Sequence, residues 1–159
     1  MHTSVHGPLR GSLCAPLVLG ALVLGCERGE PEPDPPEMFA PELGVDISDM
    51  DRTDSGLYVQ VLEEGSGDPA VNGQRISVVY TGWLVNGTPI DSAAANDPRR
   101  VTIGEDYMVD GFMEGVEGIR IGERRLLLVK PDLGYARELV PDVPRGSWLV
   151  YQVRRVPSG

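Results

Sequence analysis

The sequence predicts an antiparallel α+β domain in which about five short strands form a sheet and one short helix lies against it. Three observations predict this class. Apolar and polar residues alternate over short runs divided by Gly, Pro, Asn and Asp, the pattern of strands with one buried face. The pair Asn86-Gly87 closes one of these runs as a hairpin turn. Between the third and fourth runs, Met108, Phe112, Val116 and Ile119 recur at helical spacing.

The first strand rests on Leu57, Val59 and Val61 alternating with Tyr58 and Gln60, and it ends where Gly65-Ser66-Gly67-Asp68-Pro69 breaks the run. The second spans Ile76 to Leu84 and enters the Asn86-Gly87 turn, whose two central positions are expected to take positive φ. Further strands fit Arg99 to Ile103, Arg124 to Lys130 and Trp148 to Val156, with Arg124 and Arg125 expected at a strand end facing solvent. Gly115 and Gly118 lower the propensity of the helix, which is therefore expected to be short. A single helix among several strands buries its apolar stripe only against the sheet.

At 159 residues the chain accommodates one ordinary domain. Met1 to Arg10 holds one Arg and no acid, and an apolar run from Leu13 to Gly25 follows. That run is short for a bilayer span and is interrupted by Pro16, so residues 1–25 read as a signal peptide. Its end, Val23-Leu24-Gly25-Cys26, resembles a bacterial lipobox, which implies that Cys26 is acylated. Residues 26–52 are acidic and Pro-rich, as in Glu30-Pro31-Glu32-Pro33-Asp34-Pro35-Pro36-Glu37, and read as a disordered tether. The remainder, 53–159, is the expected folded domain. The expected protein is an exported bacterial lipoprotein, held to the membrane by its lipid alone. Glu27 after the Cys places it at the periplasmic face or the outer membrane.

Composition removes several kinds of chemistry. The net charge of −10 opposes nucleic-acid binding, which needs clustered Lys and Arg. Cys14, His2 and His6 all precede the cleavage point and Cys26 is expected to be blocked, so no Ser-His or Cys-His nucleophile and no zinc site is expected. The acids Asp46, Asp49, Asp51 and Asp54 lack the Gly and Glu of a calcium loop and read as a solvated charge run. No cofactor and no metal are expected, and the protein is expected to act as a monomer.

The segment Val78-Val79-Tyr80-Thr81-Gly82-Trp83-Leu84, with Asn86-Gly87 and Ile90-Asp91-Ser92, resembles the signature VxYTGxLxxGxxFDSS of the FKBP-type peptidyl-prolyl cis-trans isomerases. Val101-Thr102-Ile103-Gly104, Met108-Val109-Asp110-Gly111-Phe112-Met113-Glu114-Gly115-Val116, Gly122-Glu123-Arg124-Arg125, Pro131-Asp132-Leu133-Gly134-Tyr135 and Leu149-Val150-Tyr151-Gln152-Val153 follow in the family's order. The resemblance covers about Thr53 to Val156 and implies an FKBP-like fold, a curved sheet wrapped around the short helix with a proline pocket between them.

It also implies roles. Tyr80 and Tyr151 line the pocket, Phe112 forms its floor in place of the family's usual Trp, Met108 and Val109 form a wall, and Val143 belongs to the flap. Asp91 and Tyr135 supply polar contacts, and the Val109 amide is offered to the ligand. Tyr80, Asp91 and Tyr135 are the expected catalytic set. Ile90 stands where the family usually has Phe, and Arg99 lies near another customary aromatic position, departures that imply reduced or altered activity. The implied function is isomerisation of X-Pro bonds in exported, proline-containing polypeptides. The alternatives are a non-catalytic proline-peptide binder or chaperone-like lipoprotein and a purely structural lipoprotein.

Overall fold

The structure is a computed structural model that describes residues 34–105, 108–136 and 140–158. The expected signal peptide, Cys26 and the tether up to residue 33 lie outside the described residues. Seven strands, β1 (Asp51–Arg52), β2 (Tyr58–Glu63), β3 (Arg75–Leu84), β4 (Pro89–Ala93), β5 (Arg99–Thr102), β6 (Arg124–Val129) and β7 (Leu149–Val156), form one antiparallel sheet among the described residues. Its order is β1-β2-β6-β7-β3-β4, and β5 continues the edge by pairing with the first half of β3. The helix α1 spans Asp110–Val116.

The count of about five strands is therefore corrected to seven. β1 has only two residues, and β4 is a short edge strand, Pro-Ile-Asp-Ser-Ala, with no clean alternation to mark it. The hairpin joining β3 to β4 is corrected too. Gly87 takes φ of 87° while Asn86 stays at ordinary negative φ, and the Gly87 N–H donates to the Leu84 carbonyl at 2.9 Å. This is a turn through Val85 and Asn86 followed by a left-handed glycine, with the pairing register shifting between Gly82 and Trp83.

The long strand β3 organises the sheet. Ile76, Val78 and Tyr80 project to one face, together with Leu149, Tyr151 and Val153 of β7 and Leu127 and Val129 of β6, and all are buried. Onto this face α1 sets Phe112, Met113 and Val116. Its glycines let the helix backbone come close. A Cβ at position 111 would lie 2.6 Å from Val129 Cγ1, and one at 115 would overlap the Leu127 side chain. Intrinsic propensity yields here to helix–sheet contact. Arg125 does not face solvent as expected. Its guanidinium turns inward and donates to the Gly115 and Glu117 carbonyls at 2.9 and 2.8 Å, satisfying acceptors that the end of a short helix leaves open.

The opposite face of the sheet is also apolar, with Leu126, Leu128, Trp148 and Val150 buried and Tyr58, Leu62 and Trp83 beside them. Phe39, Leu43, Val45, Ile47 and Met50 cover it, and Leu43 is buried. The segment expected to run as a free tether to Arg52 is thus packed from Phe39 onward, through two short 3-10 turns and β1. Its apolar side chains find a partner that exists only once β6 and β7 have paired.

Candidate functional site

Three rings form the floor and walls of the inner face. Phe112, in the first turn of α1, meets Tyr80 of β3 at 5.1 Å between centroids and 63°, and Tyr151 of β7 at 5.3 Å and 73°. Both are edge-to-face contacts, the arrangement in which ring quadrupoles attract. Tyr80 and Tyr151 stand 6.3 Å apart across the floor. Gly82, on β3 directly opposite Tyr151, is required by this arrangement, since a Cβ there would overlap the Tyr151 ring. The Thr-Gly of the Tyr80-Thr81-Gly82 motif thereby acquires a packing reason.

The other expected residues gather on the same cluster. Val109 and Val143 are buried in it, and Ile90, Met108 and Tyr135 are partly buried and packed against it. Val109 caps α1 with extended backbone, accepting from the Phe112 amide at 2.9 Å, and its own N–H takes part in no hydrogen bond among the described residues. Asp91 alone is exposed, and it is tied to the cluster through Tyr80. The structure thus brings together every site residue expected from the sequence except Cys26, which lies outside the described residues.

The polar rim has one defined link. The Tyr80 hydroxyl donates to Asp91 Oδ2 at 2.6 Å, while the Ser92 amide donates to Oδ1 at 2.8 Å and holds the carboxylate in place. Burial, and then the bond to Asp91, push the Tyr80 phenol above its ordinary range, so it stays protonated and remains a donor. Tyr151 is 0% exposed, and burial raises its phenol as well. The Tyr135 hydroxyl is close enough to add to this shift, but the Tyr151 hydroxyl meets the criteria for a hydrogen bond with no group among the described residues. The resemblance placed Tyr151 at the pocket, but nothing in the sequence shows what its hydroxyl meets.

Sequence reasoning also gave no role to Arg99. Val101 of β5 is buried on the inner face, so Arg99, two residues earlier, projects to that face too, opposite Val78 and diagonal to Tyr80. A separate open depression lies on the other side of the sheet, lined by Val79, Thr81, Gln152 and by Arg124 and Arg154. Both of these arginines are paired with Glu63, so the depression is polar, shallow and unsuited to an apolar ligand.

The arrangement is a buried aromatic cluster with a carboxylate-anchored hydroxyl at its edge. Among the described residues no group of His, Cys, Asp and Glu is disposed to hold a metal ion. The cluster can desolvate a small apolar ring and donate hydrogen bonds to groups beside it.

Comparison with known proteins agrees. The model of the FKBP-type peptidyl-prolyl cis-trans isomerase family matches residues 67–155. An FK506-binding protein of Neisseria meningitidis is 37% identical over 100 residues, which are 62% of this chain and 92% of that protein. FK506-binding protein 4 of Mycosarcoma maydis is 35% identical over 102 residues, and the chain spans only 27% of its length. The crystal structure of FkpA from Escherichia coli superposes with a TM-score of 0.63 at 27% identity, covering 73% of this chain and 54% of that one.

Proposed function

Because this chain belongs to the family of FKBP-type peptidyl-prolyl cis-trans isomerases, we propose that it rotates X-Pro peptide bonds of exported polypeptides, holding the prolyl ring in the well of Tyr80, Phe112 and Tyr151. The peptide bond resists rotation by about 18–20 kcal/mol because resonance keeps it planar, while the two X-Pro isomers differ by only about 1 kcal/mol. No bond needs to break, so a site without a nucleophile suffices. Removing water from the prolyl amide disfavours its charge-separated, planar form. Donors at the rim then hold the carbonyl as it leaves the plane, and the twisted amide is bound better than either planar isomer. Tyr135 and the Val109 N–H are the donors that fit this task, while Tyr80, whose one hydroxyl proton goes to Asp91, fixes the carboxylate at the rim and walls the site with its ring. Ile90, Met108 and Val143 enclose the flanking residues.

The single observation that supports this reading best is the three-ring well joined to the Tyr80–Asp91 hydrogen bond of 2.6 Å, apolar depth and fixed polar rim in one place. A protease-coupled isomerisation assay with Ala-X-Pro-Phe anilides tests it. The expected result is a rate enhancement that falls in Asp91→Ala and Tyr135→Phe while the fold is retained, and no enhancement with the wild-type protein would overturn the reading.

A second reading rests on Ile90, which offers an aliphatic branch where a flat ring would press on the proline, and which is only partly buried against the cluster. It makes the protein a proline-peptide binder with little turnover. Titration that shows peptide binding in a protein without rate enhancement would select it.

The N-terminal sequence supports a cellular setting for this reading. The apolar run to Gly25 and the lipobox-like Val23-Leu24-Gly25-Cys26 support export and acylation of Cys26, with the domain acting as a monomer on a lipid anchor. Metabolic labelling with an alkyne fatty acid, abolished by Cys26→Ser, is the expected signature.

A further inference from the structure

We propose that Arg99 makes the pocket select prolyl segments that carry an acidic side chain beside the proline. This rests on the isomerase reading of the same site. Arg99 lies on β5 directly opposite the buried Val78 and diagonal to Tyr80, so strand geometry directs its side chain along the pocket side of the sheet. It is exposed, and its positive field reaches the Tyr80 hydroxyl at the rim.

The charge is available to a ligand. Among the described residues Arg99 forms no ion pair. Asp91 lies on β4, which like β5 pairs with β3, and Asp97 lines the same open depression as Arg99. Asp91 already accepts from Tyr80 and Ser92, and Asp97 lies in the turn that precedes β5. An exposed guanidinium without an ion-pair partner among the described residues presents a planar fork that suits a carboxylate and repels Lys or Arg. The chain as a whole is acidic, with net charge −10, so its long-range field disfavours acidic peptides. A preference for them would therefore have to be local.

The neighbouring Arg100 supplies the control. It projects to the other face, where it borders Ser77 and Pro157, and it carries the same charge one residue away. The experiment compares acetyl-Ala-X-Pro-Phe-4-nitroanilides with X as Glu, Leu or Lys in a chymotrypsin-coupled assay. A second series, acetyl-Ala-Leu-Pro-X-amide, is read by NMR exchange and places the charge after the proline. The full-length wild type is set against Arg99→Glu and Arg100→Glu. In at least one series the wild type should favour Glu over Lys by about three- to tenfold in kcat/KM, mainly through KM, as expected for an exposed charge pair gained in one peptide and opposed in the other. Arg99→Glu should invert the order, Arg100→Glu should keep it, and raised salt should shrink it.

Equal rates for Glu and Lys in both series, or equal shifts in the two variants, would overturn the proposal. Turnover of the Leu peptide reports separately on the isomerase reading. Should it be absent, calorimetric titration of the same peptides gives the Glu-to-Lys binding ratio, and a ratio near one would equally overturn the role of Arg99.

Discussion

The hydroxyl of Tyr80 lies 2.6 Å from Asp91 Oδ2, so a phenol on the central strand and a carboxylate on the adjacent edge strand act as one polar unit at the mouth of an aromatic well. Each depends on the other. The carboxylate keeps the phenol protonated and aimed, and the phenol fixes one of the two carboxylate oxygens.

Asp91→Ala should therefore reduce kcat/KM by about tenfold, the loss of one charge-assisted hydrogen bond of roughly 1.4 kcal/mol in the transition state. Because Asp91 is exposed, its removal should cost stability less than about 1 kcal/mol, seen as a small shift in urea midpoint. Tyr80→Phe should lower the rate to a similar extent, and the double variant should be no worse than either single one. An additive loss would separate the two residues.

Tyr151→Phe tests the orphan hydroxyl. A buried donor without a partner costs about 1–3 kcal/mol, so deleting it while keeping the ring should stabilise the protein by about 1 kcal/mol in urea unfolding. A loss of stability would show that the hydroxyl is bonded in solution.

Ile90→Phe should raise kcat/KM on Ala-X-Pro peptides severalfold by adding a flat apolar face to the well. Ile90 is only partly buried on an edge strand, so the larger ring can be accommodated with little change in thermal midpoint. An unchanged rate would place the limit on activity elsewhere, Phe112 in particular.

Alkaline pH should unfold the protein progressively. Tyr80 and Tyr151 both have folded-state pKa values raised above the ordinary phenol value near 10, so between that value and the raised one the unfolded chain binds fewer protons than the folded one. Stability should be flat with respect to these groups up to about pH 9. Above about pH 10 it should fall by as much as about 1.4 kcal/mol per pH unit for each tyrosine. Urea titrations from pH 8 to 11 would show it, and Tyr151→Phe should reduce the slope.

Much of this was readable in advance for a physical reason. Strands β2, β3 and β7 carry the apolar alternation by which they were recognised, whereas Tyr80 and Tyr151 were assigned to the pocket by the resemblance to the family. Phe112 was marked by helical spacing with Val116, and both are fully buried. The resemblance to the family then supplied the roles. Phe39, Leu43, Val45, Ile47 and Met50 were not readable as packed residues, because their irregular spacing matches neither a strand nor a helix. Arg125 was assigned to solvent because composition cannot show that the end of α1 needs a donor.

The sequence by itself determined the alternating faces of the longer strands and the apolar stripe of α1, since period and turn chemistry act over a few residues. It also determined the kinds of chemistry open to the chain, and it marked the motifs that place it among the isomerases. Tertiary structure decided what those side chains meet. Residues 11 positions apart join as Tyr80 and Asp91, and Phe112 closes on rings from two distant strands. The Tyr151 hydroxyl has no partner among the described residues, and Arg99 is set opposite Val78 on the face that carries Tyr80. Such relationships depend on strand register and on contacts distant in the chain, and a local pattern of hydrophobicity contains no information about either.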